Sequence, residues 1–173
     1  MLSAKALYRV VNRFVPDFIE KYKEDYSTRL KVQKYIYLFE KIYGKCSYNY
    51  SWYLAGPYSS ILTQQIYDSI LETPREVYEE WQKMNISESA EIIFNKIDNV
   101  VNTAHHINEE KTSKAELLEL VASIWYIADK DKGDKENKCV RIKEKLLISK
   151  PQFTTTYNLD EIIQFIIGEI DRQ

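Results

Sequence analysis

Apolar residues recur at helical spacing along most of this chain. Leu7, Val10, Val11 and Phe14 fall on one face of a helix predicted over residues 3–15. Pro16 ends it, because proline does not fit a helix interior. A short amphipathic segment over 17–24 carries Phe18, Ile19 and Tyr22. Ser27 or Thr28 suits the cap of a further helix, and Gly44 suits its end. The apolar positions of that helix, from Leu30 to Tyr43, exceed half its circumference. It is therefore predicted to be central, with Lys31, Lys34 and Lys41 marking its wet edge.

The period then changes. In Ser47 to Leu54, Tyr48, Tyr50 and Trp52 alternate with small polar residues, which is strand spacing. One strand needs a partner, and residues 152–157 are a candidate. Gly56-Pro57 is predicted as a turn, with Pro57 opening a helix to about Leu71. Helical patterning resumes after Thr73-Pro74 as far as Met84, and again behind Ser87 over 88–106. Ser113 and Glu116 have capping-box spacing before residues 114–129, whose Leu117, Leu118, Leu120, Val121, Ile124, Trp125 and Ile127 make the most apolar helix. A charged loop over 129–138 precedes a helix over 139–149, and Asn158 with Glu161 is predicted to cap a last helix to Asp171. The expectation is a mainly α single compact domain over 1–173, with a small β-ribbon and a candidate N-terminal helical extension over 1–26.

Composition narrows the function classes. No apolar run approaches the roughly 18 residues of a membrane span, and the N-terminus has no signal-peptide apolar core, so a cytoplasmic protein with no membrane partner is expected. Cys46 and Cys139 lack CxxC spacing and read as ordinary thiols. Four glycines exclude a P-loop or a dinucleotide fingerprint, and GxSxG and HExxH are absent. His105 and His106 are neighbours that point about 100° apart on a helix, which disfavours a shared metal. The spacing of Asp129, Asp131 and Asp134 does not match a calcium loop. No catalytic residue, metal or cofactor is therefore expected, and the chain is read as non-enzymatic.

Charge and aromatic content point elsewhere. Residues 1–50 hold ten Lys/Arg against five Asp/Glu, whereas residues 51–173 hold fourteen against twenty-one. Nine of the fourteen tyrosines lie between Tyr22 and Tyr58. Such rings serve a core with hydroxyls reaching water, a protein-binding surface, or stacking on nucleotide bases. The segment Gly56-Pro57-Tyr58-Ser59-Ser60 suits either plain capping or an anion or partner carboxylate at a helix N-terminus.

Four blocks in order carry a resemblance. Lys31-Val-Gln-Lys-Tyr-Ile-Tyr-Leu-Phe and Trp52-Tyr-Leu-Ala-Gly-Pro-Tyr-Ser-Ser-Ile-Leu resemble the KLQKLLYL and GPYS pattern of YwgA-like proteins and of the more distant Panacea (SocA-like) proteins. Leu117-Leu-Glu-Leu-Val-Ala-Ser-Ile-Trp-Tyr-Ile and Lys150-Pro-Gln-Phe-Thr resemble two further YwgA-like segments, with Trp125 standing where a histidine is expected. The first thirty residues match neither. YwgA-like proteins have no established activity; Panacea proteins act as antitoxins by direct contact with toxins, or as adaptors that deliver a partner to a protease. The resemblance implies a protein-interaction module, antitoxin-like or adaptor-like, whose partner is a toxin or other client. Its expected surface comprises Lys34, Tyr37, Gly56, Pro57, Tyr58 and Ser59, joined on residue chemistry by Tyr48 and Tyr50. The alternative expectation is nucleic-acid binding through Lys31, Lys34, Lys41 and Lys45 with neighbouring tyrosines.

Overall fold

The computed structural model describes residues 1–172. The chain is mainly α with one small antiparallel ribbon. It divides into two compact units, the first Met1–Asn95 and the second from Lys96 onward, with the boundary inside one helix.

In the first unit, α1 (Ala4–Phe14) is capped by Ser3, whose side chain accepts from the Ala6 N–H. After the short α2 (Phe18–Lys21), α3 runs Tyr26–Tyr43. Its N-cap is Asp25, which accepts from the Ser27 and Thr28 N–H groups, so the cap lies ahead of both predicted candidates. Gly44, at φ 74°, ends α3 in the left-handed conformation that glycine adopts without a Cβ penalty. Residues 32–40 of α3 are buried without interruption, including Gln33, Lys34 and Glu40. The predicted wet edge at Lys34 is thus inside the protein, at 2% exposure. Phe14 stacks on Tyr35 at 4.4 Å, and Phe94 meets Phe14 edge-on at 5.5 Å and Phe39 at 5.9 Å. Tyr43, by contrast, is exposed.

The predicted strand is shorter and its partner is local. Strand β1 (Ser51–Tyr53) pairs with β2 (Gly56–Tyr58), Trp52 opposite Pro57. Leu54 and Ala55 make the turn, and Gly56 follows at φ 83°, a left-handed conformation that glycine adopts without a Cβ penalty. Gly56-Pro57 is therefore strand, not turn, and Pro57 does not start a helix. That start falls to α4 (Ser60–Ile66), capped by Ser59, which accepts from the Leu62 N–H at 3.2 Å. The helix widens into a π turn over Tyr67–Leu71, and α5 is Arg75–Lys83.

Helix α6 (Glu88–Ile107) crosses the unit boundary. In the second unit, α7 (Lys114–Lys130) carries the predicted capping box of Ser113 and Glu116, and its Trp125 is 1% exposed. It packs against α8 (Lys138–Ser149) and α9 (Leu159–Asp171). Residues Pro151–Thr155 form a 3-10 helix, so the proposed second strand there does not exist. Asn158 holds the N-cap position of α9, but its side chain makes no capping bond. It sits at φ 51° and donates through Nδ2 to the Ile107 carbonyl at 3.2 Å. Among the described residues no helix is long and apolar enough to cross a membrane.

The capping box gives a stability prediction. Ser113→Ala removes an acceptor that the Glu116 N–H uses, and is expected to cost about 1 kcal/mol in urea unfolding. Trp125→Ala in the same helix is expected to cost about 3–5 kcal/mol.

Candidate functional site

The tyrosine-rich segment is organised by the buried polar side chains of α3. Gln33 forms a two-way amide bridge with Ser59: its Oε1 accepts from the Ser59 N–H at 3.0 Å, and its Nε2 donates to the Ser59 carbonyl at 3.0 Å. The same Nε2 reaches Thr63 Oγ1 at 2.9 Å. Lys34 Nζ donates to the Pro57 carbonyl at 2.7 Å. Glu40 accepts from the Ser47 N–H at 2.9 Å and the Tyr48 N–H at 3.2 Å, and also from the Ser47 hydroxyl. About two turns of one helix thereby hold the chain before and after the hairpin.

Beside this scaffold lies a cavity of about 240 Å³ within the first unit. Tyr22, Tyr26, Leu30 and Thr63 line it from the helices, and Tyr53, Leu54, Ala55, Gly56 and Tyr58 from the hairpin. Arg29, Gln33 and Lys34 supply its polar side. The hairpin tip is open to solvent, with Tyr53 60% and Leu54 85% exposed, and Tyr26 is 61% exposed across from it. Tyr22 is fully buried, and burial drives its phenol pKa above the ordinary value. Thr63 Oγ1 donates to the Tyr58 hydroxyl at 3.0 Å, and Tyr58 lies 5.6 Å from the Tyr53 ring.

The sequence-predicted residues separate around this cavity. Lys34, Gly56 and Tyr58 line it. Pro57 and Ser59 are buried just behind, as the carbonyls that Lys34 and Gln33 hold. Tyr37 is buried with its ring against Tyr50 at 4.9 Å, and Tyr48 is 1% exposed, so neither lies on the surface where the sequence placed it. The Tyr48 hydroxyl donates to Gln65 Oε1 at 2.7 Å, and burial pushes its pKa up to about 12. Desolvation also raises Tyr50 well above the ordinary phenol value. Of the four lysines invoked for nucleic acid, three are engaged: Lys34 is buried, Lys41 lies over the Tyr37 ring at 5.7 Å and Lys45 over Tyr43 at 5.3 Å.

Sequence reasoning missed Tyr22, Tyr26, Arg29, Gln33, Tyr53 and Leu54. One signal was present: Gln33 is a polar residue inside an apolar run, a position that demands a buried partner. At the N-terminus of α4, Ser59 is 0% exposed and its hydroxyl accepts from the Leu62 N–H, so that side chain serves the cap. Among the described residues no cluster of three or more His, Cys, Asp or Glu could hold a metal. Comparison with protein-family models, with curated proteins and with solved structures finds no match.

Gln33→Leu is expected to destabilise the protein by about 1–3 kcal/mol, because it orphans buried Ser59 backbone groups; a denaturant midpoint measures it. The buried phenols give a pH dependence. Tyr22, Tyr48 and Tyr50 keep their protons longer folded than unfolded. Their contribution is complete below the ordinary phenol value of about 10 and is lost as pH rises above it. Thermal unfolding should show Tm falling above about pH 10, and Tyr48→Phe should soften that fall.

Proposed function

We propose that this chain is a non-enzymatic protein-interaction module whose contact surface is the hairpin tip and the aromatic cavity beside it. The observation that carries this is the exposure of Tyr53 and Leu54 at the mouth of a cavity walled by tyrosines. Large apolar side chains kept in water next to a concave apolar surface mark contact sites, and tyrosine gives large contact area at low entropic cost. The hairpin is held from behind by Gln33 and Lys34, so this surface is ordered before any partner arrives. An antitoxin-like or adaptor-like role, with a toxin or other client as partner, is the form of this function that the resemblance of the Lys31 and Trp52 blocks favours.

Affinity capture of the full-length protein from its native host tests the proposal. Wild type is expected to retain a stoichiometric protein, and Leu54→Asp or Tyr53→Asp to lose it at least tenfold with Tm unchanged, since both side chains are mostly in solvent. Equal retention by wild type and both variants, or no stoichiometric protein at all, would overturn it. Co-expression with the product of the neighbouring reading frame tests the antitoxin form: wild type should relieve its toxicity and Leu54→Asp should not.

A further inference from the structure

The cavity has a charge character as well as an apolar one. Its side-chain charges are Arg29 and Lys34, and among the described residues that line it none is acidic. The acidic residue nearest along α3, Asp25, is committed to the helix cap, accepting from the Ser27 N–H at 3.1 Å, the Thr28 N–H at 2.9 Å and Thr28 Oγ1 at 2.6 Å. Arg29 is held in place through Nη1, which donates to the Tyr22 and Lys23 carbonyls, both at 3.0 Å. Among the described residues no acceptor engages its Nε or Nη2, and that edge of the guanidinium has the fork geometry that receives a carboxylate. Lys34, behind it, adds positive potential from a desolvated position. The apolar walls enclose about 240 Å³, below the roughly 300–1,000 Å³ of sites that take drug-sized ligands, and suited to a single large side chain.

We infer that the cavity takes an acidic segment of a partner protein, with one large apolar side chain inserted between Tyr22, Leu30, Tyr53 and Tyr58 and an adjacent carboxylate on Arg29. This rests on the protein-binding function proposed above and names the chemistry of the partner. Charge complementarity argues for the acidic segment. A neutral or basic segment would leave the Arg29 edge unpaired or repelled as water is excluded from the cavity. The surrounding sequence acts in the same direction, since residues 1–50 carry ten Lys/Arg against five Asp/Glu.

Three blocked heptapeptides test this with the full-length protein. Each has a central phenylalanine flanked on either side by two aspartates, two asparagines or two lysines. Fluorescence anisotropy measures affinity, and amide shifts in 15N-labelled protein report the place of binding. The aspartate peptide is expected to bind about tenfold or more tightly than its isosteric asparagine counterpart, to weaken as salt rises from 50 to 300 mM, and to shift the amides of Tyr26, Arg29, Tyr53 and Tyr58. Arg29→Glu is expected to reverse the order, favouring the lysine peptide. Because Arg29 also ties down two carbonyls, the salt titration on wild type serves as the measurement that needs no variant. Equal binding of all three peptides at the cavity would overturn the acidic preference while leaving protein binding there intact. Shifts confined to other residues, or no binding by the aspartate peptide, would also overturn the inference, whereas the capture experiment judges the broader function separately.

Discussion

The amide and charged side chains that α3 buries, Gln33, Lys34 and Glu40, all take partners inside the protein, and this shapes the first unit around the cavity. Nine consecutive residues of the helix are away from water, and Gln33, Lys34 and Glu40 are among them. An unpartnered amide or charge in that setting costs more than a typical hydrogen bond returns, so the neighbouring chain is constrained to supply partners. It does so with its backbone. Glu40 collects the Ser47 and Tyr48 amides before the hairpin, while Lys34 and Gln33 collect the Pro57 and Ser59 groups after it. The segment between has both ends fixed to one rigid helix, which leaves the two-stranded ribbon little freedom despite its length. An isolated two-stranded hairpin is at best marginal in water, so α3 supplies what a third strand would otherwise provide.

The same tethering explains the two places where local sequence rules pointed elsewhere. Pro57 has the φ preference of a first helical residue, yet its carbonyl is taken by Lys34 and it pairs with Trp52, so it remains extended. Ser59 then becomes the cap because Gln33 fixes its backbone in the extended conformation of an N-cap while its hydroxyl meets Leu62. At the other end of α3, Asp25 displaces Ser27 and Thr28 as the cap. Its carboxylate satisfies two backbone donors and the Thr28 hydroxyl together, which a single hydroxyl at either position could not do.

Helix positions were legible wherever a periodic apolar stripe ended in a local signal. Gly44 in the left-handed region and the Ser113–Glu116 box are both where the sequence placed them, because each depends only on residues within one turn. The mainly α class follows from the same local rules. Lys34 and Tyr43 show the limit. Period alone ranks residues by chemical type, so lysine was assigned to water and tyrosine to the core, whereas the fold places Lys34 at 2% exposure and Tyr43 at 45%. The candidate site was half visible for a similar reason. Sequence density of tyrosine located the region, and Lys34, Gly56 and Tyr58 do line the cavity. What it could not give was orientation: Tyr37 and Tyr48 are buried while Tyr53 and Leu54 are exposed, and within the ribbon the face that Tyr53 presents depends on the register of Trp52 opposite Pro57. A one-residue change of strand register exchanges the two faces, and nothing within the strand itself selects it.

Burial of some tyrosines is also what fixes the setting of the exposed ones. Tyr37 and Tyr50 meet edge-to-face at 4.9 Å and Tyr48 is bonded to Gln65, so the base of the hairpin is packed and hydrogen-bonded on its inner side. Tyr22 floors the cavity from α2's C-terminal end and cannot leave it without exposing a ring that is fully buried. Of the tyrosines and apolar residues that line the cavity, Tyr26, Tyr53 and Leu54 are the exposed ones. A partner that docked there would meet walls already in place, so less ordering would be needed on binding. The polar trio inside α3 thus acts through order: by holding the chain before and after the hairpin, it sets the geometry that the exposed residues present.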